Sequence, residues 1–453
     1  MVNEAINPLD GRYFEKTRDL APYFSEQALM KYRVMMESEY IIALSLLNKT
    51  ALRKFTTNEI KIIKSLYEKF DKNSYKEIKK IESKTNHDVK AVEYFIKNAL
   101  SKTSLKDSTE WIHFAITSED TNNIAYALML SDSLEHVMIP HVSKIILEIN
   151  TLAKKYKGLP MLARTHGQSA SPTTFGKEMK VFALRLEKLL SEIKNIKIEA
   201  KLNGATGNYN AHHVTYPKVD WASFSKKFIE DFNKNRNQKL VQNKITTQIE
   251  CHDSYIKIFD KIKHINAILI DFNQDMWRYI SDDWVGQIPK MGETGSSTMP
   301  HKINPIDFEN SEGNLGLANA LFEFFARKLP VSRLQRDLSD STVERSFGTA
   351  FGHSYLAYSS LLKGLSKIKV NEEKILEVLN NHPEVITEAI QTILRREGVE
   401  MPYEKLKELS RGKKVTLKEI HNFIETLNVS EKIKKELLKI SPENYTGIAT
   451  KLV

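Results

Sequence analysis

The chain has 453 residues, 41% of them hydrophobic, which is typical of a globular protein with two or three domains and a large core. The formal net charge is +10 at pH 7, but lysines are scattered among glutamates throughout, which favours a solvated helical surface over a dedicated nucleic-acid-binding face. The single cysteine, Cys251, excludes an intramolecular disulfide and a zinc site built from several cysteines.

The sequence also predicts where the protein works. No basic segment followed by an apolar run opens the chain, and no uninterrupted apolar stretch approaches the length of a membrane span. A single cysteine fits a reducing compartment. We therefore expect a cytoplasmic protein with no membrane partner.

Helix formers at helical spacing dominate the chain, so the sequence predicts an all-α fold that begins with a helical domain over residues 1–108. This region opens with a turn at residues 10–13 that carries a cation and an aromatic ring. Farther on, His87 and Asp88 stand at a predicted helix start, where an aspartate can hold a histidine that also meets an anion. Plain helix capping by Asn86 or Asp88 is the alternative.

A second domain of long helices is predicted over residues 109–366. Thr117 and Ser118 present two hydroxyls at the start of a helix. Apolar residues then recur every three or four positions as far as Tyr156, which predicts a helix of more than thirty residues, and Pro140 predicts a kink in it.

The middle of this domain alternates between long helices and polar loops. His166 lies in a short loop, where a lone histidine is more often structural than catalytic. Apolar residues from Phe175 to Ala200 follow a heptad rhythm typical of a long helix. Residues 231–244 are polar and are predicted to form an exposed, peripheral loop, after which another long helix is predicted from Thr246.

Residues 295–305 form the most distinctive segment of the chain. Its first half combines glycine with hydroxyl residues, which predicts a flexible polar loop. Its second half places Lys302 before Asn304 and a proline, which predicts a helix start. A capped helix after a glycine-rich loop explains the pattern, but an anion site explains it equally well, since hydroxyls, amide N–H groups and a lysine converge there.

The last predicted features are an arginine cluster and a small terminal domain. Residues 333–345 combine three arginines with hydroxyls, a set that suits phosphate or carboxylate recognition, although surface salt bridges are the alternative. Shorter helices predict a C-terminal domain over residues 367–453. Long helices with continuous apolar stripes cannot bury them in one short bundle, so association of several copies is expected.

Residues 295–305 resemble the signature of the fumarase and aspartase superfamily, and residues 85–90 and 340–345 favour its adenylosuccinate lyase family. The resemblance covers nearly the whole chain. It implies a three-domain helical fold whose central domain completes a twenty-helix bundle in a homotetramer, with active sites at junctions of three subunits. It also implies cofactor-free and metal-free release of fumarate from adenylosuccinate, giving AMP, and from succinyl-aminoimidazole carboxamide ribotide (SAICAR), giving AICAR.

By the same resemblance, His166 protonates the departing nitrogen and Ser296 removes the carbon proton. No clear role follows for His113, and Glu344 stands where an apolar residue is expected. The residues that the resemblance places around the substrate are Arg12, Tyr13, Asn86, His87, Asp88, Thr117, Ser118, Gln248, Ser297, Lys302, Asn304, Asn310, Arg336, Ser341, Thr342 and Arg345.

Two other functions remain open at this stage. The superfamily loop alone does not separate this family from argininosuccinate lyases, which also release fumarate. A non-catalytic helical assembly that binds nucleic acid is favoured only by the basic charge.

Overall fold

A computed structural model describes residues 4–289, 292, 298–299, 301–410, 412 and 415–453. Helices dominate the described residues. Those of the first half are α1 (Phe14–Thr17), α2 (Ala21–Phe24), α3 (Glu26–Leu47), α4 (Thr57–Glu68), α5 (Lys72–Thr85), α6 (Asp88–Leu100), α7 (Ser118–Ser133), α8 (Ile139–Lys155), α9 (Phe175–Asn195), α10 (Asn210–Thr215) and α11 (Trp221–Asp231). Those of the second half are α12 (Asp253–Ser281), α13 (Ile306–Lys328), α14 (Ser339–Glu344), α15 (Phe347–Leu365), α16 (Glu372–Asn380), α17 (Thr387–Arg396), α18 (Pro402–Ser410), α19 (Leu417–Glu425) and α20 (Glu431–Leu438).

Six short strands accompany the helices as three two-stranded sheets in the described part of the chain. Their bounds are β1 (Pro160–Thr165), β2 (Gln168–Thr174), β3 (Ile198–Ala200), β4 (Leu240–Gln242), β5 (Val285–Gln287) and β6 (Ile368–Val370). Strands β1 and β2 pair antiparallel, as do β5 and β6, whereas β3 and β4 pair parallel. The predicted all-α class is confirmed, since the strands only join helices. Within the described ranges, no helix is both long enough and apolar enough to cross a membrane.

The long helix predicted from the stripe ending at Tyr156 is present as α7 and α8, joined by one π-helical turn at Leu134–Met138. Pro140 follows this turn and has no N–H to donate to the carbonyl of the preceding turn, so the backbone widens there. The ring nitrogen Nδ1 of His141 lies 3.0 Å from the carbonyl oxygen of Val137. The predicted irregularity at the proline is therefore a π-helical turn.

Two predicted helix boundaries are wrong. The helix predicted from Phe175 to Ala200 ends at Asn195, and Ala200 lies in β3, because the chain turns to pair with β4. The helix predicted from Thr246 begins at Asp253. In the first case the apolar rhythm continues past the helix end, since a buried strand also needs apolar residues.

The prediction of an exposed peripheral loop at residues 231–244 is also wrong. The segment contains a 3-10 turn and strand β4, and both Gln238 and Leu240 are buried. The guanidinium of Arg236 lies 2.6 Å from a carboxylate oxygen of Asp132. Parallel pairing with β3 and this ion pair hold a segment whose composition alone is typical of a surface loop.

The chain packs into two compact units. The first comprises residues 1–142, 189–267 and 313–359, and the second comprises residues 143–188, 268–312 and 360–453. Long helices contribute residues to both units. The division into domains at residues 108 and 366 stays a prediction.

An aromatic cluster forms part of the core of the first unit. Helices α12, α13 and α15 meet there, and the rings of Phe259 and Phe347 lie 5.2 Å apart, as do those of Phe322 and Phe351. All four side chains are buried, and each ring of this size removes roughly 150–250 Å² from water. The cluster fixes the first turn of α15, two residues after Arg345.

The second unit is built around α9 and α12. The rings of Phe182 and Phe272 lie 5.2 Å apart, edge to face, and Asn273 donates a hydrogen bond of 3.0 Å to Ser311 on α13. Phe175, the first residue of α9, is fully buried and packs against Tyr156. Strand β2 ends immediately before Phe175, so this contact anchors the base of the β1–β2 hairpin.

Candidate active site

Arg336 is the centre of a buried polar cluster in the first unit. Its guanidinium lies 3.0 Å from Glu119 and 3.3 Å from Asp340. Gln248 approaches the same guanidinium at 3.5 Å, and its backbone N–H donates to the carbonyl of Gln335 at 3.3 Å. The structure therefore brings together two predicted substrate-binding residues, Gln248 and Arg336, and adds two carboxylates that the sequence reasoning missed.

Glu119 is the least expected member of this cluster. It is fully buried, and burial, together with the negative charge of Glu344, raises its pKa to about 8. Its oxygen Oε1 has no hydrogen-bond partner among the described residues. A buried carboxyl group that titrates near neutral pH marks this region as a candidate functional site, although structural ion pairs can perturb a pKa in the same way.

A buried histidine–glutamate pair belongs to the same cluster. Nε2 of His252 lies 3.2 Å from Oε1 of Glu344, and both side chains are about 1% exposed. Burial acts to lower the pKa of His252, but the hydrogen bond and charge of Glu344 outweigh it and raise that pKa to about 9. Glu344 thus holds an imidazolium in the interior, which explains a charged residue where the sequence reasoning expected an apolar one.

Asp88 bridges two arginines. One carboxylate oxygen lies 2.8 Å from Arg33 and 2.7 Å from Arg345, and the other accepts a hydrogen bond from the N–H of Val89. Arg33 is almost completely buried and also donates to Asn122 at 2.9 Å. Burial acts to raise the pKa of Asp88, but the two guanidinium groups outweigh it and hold that pKa well below its usual range.

The residues before Asp88 adopt the helix boundary that the sequence predicts. Asn86 ends α5 in the left-handed conformation, with φ 49°. His87 is the N-cap of α6, and its Nδ1 accepts a hydrogen bond from the N–H of Lys90 at 3.2 Å. This bond occupies Nδ1, so Nε2 of the half-exposed ring is the nitrogen that can meet a ligand.

Thr117 and Ser118 form the predicted N-terminus of α7. The N–H of Thr117 donates to Asp120 at 2.9 Å, and Asp120 also pairs with Lys201 at 3.0 Å. The same aspartate accepts from the N–H of Gly204, so it ties a glycine-rich loop to the helix start. Both charged side chains are fully buried, and breaking such a pair by removing one partner costs about 3–5 kcal/mol.

His113, whose role the sequence left open, contacts Glu37. Its Nδ1 lies 2.6 Å from Oε1 of Glu37, which is fully buried and also accepts from Thr121. Burial acts to lower the pKa of His113, but the charge of Glu37 outweighs it and raises that pKa. The left-handed backbone of His113, with φ 60°, is the kind of strained conformation that clusters near functional sites.

The hydroxyl and arginine residues near position 340 lie partly on a short helix and partly on either side of it. Ser341 and Thr342 lie on the short helix α14, and Arg345 follows it as the C-cap. Arg333 is largely exposed and pairs with Asp337 at 3.3 Å. Arginines three positions apart would share a face of a helix, but Arg333 and Arg336 both precede α14 in a non-helical stretch and do not.

The phenol of Tyr126 is influenced by charges of both the Arg336 cluster and the Asp88 group. Burial and then the charge of Glu344 raise the pKa of Tyr126, while Arg33 and Arg345 act to lower it. Its hydroxyl is buried without a hydrogen-bond partner among the described residues. Charges from both the Arg336 and the Asp88 group are therefore felt at this ring, which identifies one polar region rather than two.

Arg12 and Tyr13 occupy the predicted turn near the N-terminus. The N–H groups of Asp10 and Gly11 both donate to the carbonyl of Asn7 at 3.1 Å. The guanidinium of Arg12 lies 5.8 Å from the centre of the Tyr13 ring, within the range of a cation–π contact. Arg12 is exposed and can meet an anion from solvent.

His166 lies in the second unit, at the tip of the β1–β2 hairpin. The two turn residues, His166 and Gly167, have φ 53° and 75°, which is the pattern of a type I′ turn. Thr165 pairs with Gln168, and the hydroxyl oxygen of Ser169 lies 3.1 Å from Nδ1 of His382. The hairpin stem is thus anchored, while the imidazole itself is exposed in the single chain.

Lys302, Asn304 and Asn310 accompany the start of α13 in the second unit. The helix begins at Ile306, one residue after the predicted start. The hydroxyl of Ser360 donates to Asn310 at 2.7 Å, and the ammonium of Lys302 is exposed. Ser296 and Ser297 lie outside the described residues. Within the described part of the chain, no three histidine, cysteine or carboxylate side chains are grouped so that they could hold a metal ion.

Comparison with known proteins identifies the family of this chain. Residues 11–319 match the family model described as Lyase, and residues 332–446 match the model described as Adenylosuccinate lyase C-terminal. The chain is 49% identical to an adenylosuccinate lyase from Dictyostelium discoideum, over 98% of this chain and 96% of that protein. It is 48% identical to one from Haemophilus influenzae and 46% identical to one from Escherichia coli K12, each over 99% of this chain and 98% of the relative.

Solved structures share the fold at low sequence identity. A fumarate lyase from Mesorhizobium sp. BNC1 aligns with a TM-score of 0.73 at 15% identity, over 97% of this chain and 96% of that chain. A 3-carboxy-cis,cis-muconate lactonizing enzyme from Pseudomonas putida also aligns with a TM-score of 0.73, at 16% identity, over 98% of this chain and 97% of that chain.

The structures establish the fold, and the full-length relatives establish the family within it. The resemblance drawn from residues 295–305, 85–90 and 340–345 is thereby confirmed. The chain belongs to the adenylosuccinate lyase family.

Proposed function

We propose that this chain eliminates fumarate from adenylosuccinate to give AMP, and from SAICAR to give AICAR, in purine nucleotide biosynthesis. In each reaction the C–H bond beside one succinyl carboxylate breaks, a carbon–carbon double bond forms, and the C–N bond to the purine or imidazole amine breaks. The proton leaves to a base and the nitrogen receives one from an acid, so no oxidant or cofactor is needed.

The observation that carries this proposal is identity of 46–49% along almost the entire chain to relatives named adenylosuccinate lyase. The polar cluster of the first unit supports it, because the substrate carries two succinyl carboxylates and a phosphate. Charge-assisted hydrogen bonds from arginine suit such groups.

Arg345 is the better candidate of the two cluster arginines for direct contact with an anion. Its side chain is 43% exposed and pairs with Asp88 through one nitrogen, so other N–H donors of the guanidinium face solvent. Arg336 is only 11% exposed and contacts two carboxylates. We therefore assign Arg345 to a substrate carboxylate or phosphate, and Arg336 to the positioning of Gln248 beside the ligand.

His166 is proposed as the acid that protonates the departing nitrogen, and Ser296 as the base that removes the carbon proton. Lys302 and donors of the 295–305 loop would stabilise the serine in its basic form and the negative charge that develops on the substrate carboxylate. An exposed histidine at a hairpin tip supports a site completed by other copies of the chain. We therefore propose a cytoplasmic homotetramer.

Release of fumarate from purified protein tests the reaction. We expect turnover with adenylosuccinate and with SAICAR, followed by the absorbance of fumarate, and none with argininosuccinate. Fumarate release from argininosuccinate alone would contradict the proposal and would indicate the argininosuccinate lyase activity instead. A folded protein inactive on all three compounds would reject it.

Mixing two inactive variants tests the shared site. His166→Ala and Ser296→Ala proteins are unfolded together and refolded as mixed oligomers, each variant refolded alone being the control. If the two side chains of one site come from different chains, about a quarter of the sites in an equal mixture regain both. If activity does not return while each variant alone refolds to the native oligomer, the two groups act within one chain.

A further inference from the structure

The first unit contains a cavity that is lined by residues outside the polar cluster. Helices α3, α4 and α11 and the 3-10 turn at Phe232–Asn235 enclose it, and its volume is about 940 Å³. Small-molecule sites in proteins span roughly 300–1,000 Å³, so this volume suits a ligand of drug or lipid size. None of its lining residues belongs to the predicted substrate-binding set.

The floor of this cavity is apolar and aromatic. Its apolar lining, called the floor below, includes Met35 and Ile42 from α3, Phe224 and Phe228 from α11, and Phe232. Phe228 is 4% exposed, and its ring stacks at 6.4 Å on that of Phe224. A flat or extended apolar ligand would bury this surface, and each Å² of apolar area removed from water contributes about 25 cal/mol to the free energy of binding.

The charged residues that line the cavity carry excess positive charge. Five cationic side chains and three carboxylates line the cavity. The carboxylates are occupied: Glu39 accepts from Tyr67 at 2.5 Å and from Lys64 at 3.1 Å, and Asp231 pairs with Lys234 at 3.2 Å.

The third carboxylate, Asp220, accepts a hydrogen bond from the backbone N–H of Ser223 at the start of α11. Lys49 and Lys227 lie within 4.0 Å of no carboxylate in the described part of the chain. Two lysines without a protein counter-ion beside an apolar floor complement a ligand with an apolar body and an anionic head.

We propose that this cavity, enclosed by α3, α4 and α11, is a second ligand site that binds amphipathic monoanions, with the apolar body on the phenylalanine floor and the acidic head at Lys49 and Lys227. The site is separate from the lyase reaction, so it stands or fails independently of the proposed function.

A pair of fluorescent probes that differ in one charge tests the site. 1-Anilinonaphthalene-8-sulfonate carries the same rings as N-phenyl-1-naphthylamine but adds a sulfonate. We expect the native full-length protein to bind the sulfonate probe at one site per chain, and about tenfold more tightly than the neutral probe. Equal affinities for the two probes would overturn the assignment of Lys49 and Lys227.

Two variants locate the binding. Ala43→Trp places a large ring in the cavity and should abolish binding of both probes, because Ala43 lines the cavity. The double variant K49E/K227E should lose at least about tenfold in affinity for the sulfonate probe alone. The matched control K157E/K418E reverses two exposed lysines elsewhere and should bind as the native protein does.

Circular dichroism and turnover of adenylosuccinate verify that each variant is folded, since none of the substituted residues belongs to the candidate active site. Native-like binding of the sulfonate probe by both folded variants would overturn the proposal. A second result would also overturn the proposal: no binding of the probe, together with a change in oligomeric state in K49E/K227E. That result would make the cavity an interface between copies of the chain.

Discussion

The two regions that carry the predicted site residues differ in how the chain holds them. In the first unit, Arg336 and Asp88 are fixed by several buried ion pairs and hydrogen bonds. In the second unit, His166 and Lys302 are exposed, on a hairpin tip and before a helix start. The single chain therefore holds Arg336 and Asp88, which belong to the predicted substrate-binding set, in fixed positions, whereas it presents the proposed acid His166 to solvent. Substitutions in the two regions should therefore have different consequences.

The largest effect is expected for His166→Gln. Loss of the acid should lower kcat by about 10³-fold, because proton transfer by a positioned side chain contributes roughly 10²–10⁴-fold. Its exposed position predicts a change in unfolding free energy within about 0.5 kcal/mol. Steady-state kinetics and urea unfolding of the same preparation measure both quantities.

His213→Gln is the matched control, since His213 is another exposed histidine. It should retain native kcat and stability. A His166→Gln protein that is fully active, or one that is inactive only because it has unfolded, would contradict the assignment of the acid.

The next effect is expected for Arg33→Met in the fixed region. Removing this guanidinium leaves Asp88 with one partner fewer in a mostly buried setting, and we expect a loss of about 3 kcal/mol in unfolding free energy. Arg33→Lys, which keeps the charge but not the fork geometry, should lose less. Denaturant titration measures both, and unchanged stability in Arg33→Met would show that the buried pair is not a structural element.

A smaller effect is expected for Arg345→Gln. If Arg345 contacts a substrate carboxylate or phosphate, KM should rise about tenfold to hundredfold with kcat less affected, since a hydrogen bond to a charged group contributes about 1.5–3 kcal/mol. Arg333→Gln is the control, because Arg333 is 84% exposed and pairs with a neighbouring aspartate on the surface. Equal kinetics for both variants would place the anion elsewhere.

The smallest effect concerns pH. His252 has a pKa of about 9 against an ordinary value of 6.5, so the folded state binds a proton that the unfolded state has lost between these values. Its contribution to stability is fully present below pH 6.5 and disappears as pH rises through 9. The raised pKa of Glu119 acts in the same direction from pH 4.5 to about 8.

The unfolding free energy should therefore fall by about 1–3 kcal/mol between pH 6.5 and 9. Urea titrations across this range measure the slope, and His252→Asn should flatten it. A slope unchanged in that variant would mean that the buried pair does not titrate with unfolding.

Several helix starts could be predicted from short stretches of sequence, because helix capping depends on residues that are neighbours in the chain. The starts at Ser118 and Asp88 and the approximate start of α13 follow from hydroxyl, aspartate and asparagine–proline signals that act within one turn. The hairpin at His166 could not be predicted in this way, since only the pairing of its two strands reveals the turn.

The buried carboxylates of the candidate site were missed for a related reason. Glu119 and Glu344 are ordinary charged residues in the sequence, and they become informative only when Arg336 and His252 are placed beside them from distant parts of the chain. The only signal available was that Glu344 interrupts an expected apolar position. The fate of residues 231–244 likewise depended on a partner strand and on Asp132, more than ninety positions earlier.

The parallel pairing of β3 with β4 has a consequence for how this sequence can vary. Ile198 lies opposite Leu240, so the intervening chain leaves and returns at the same point. Insertions or deletions in the exposed turns between β3 and β4 would change the length of this connection. They would not displace the positions of Asp120 and Gln248 on either side of it. Evolution can therefore change the length of this part of the protein at little cost, whereas the segments that carry Arg33, Arg336 and Arg345 must keep their spacing to retain their ion pairs.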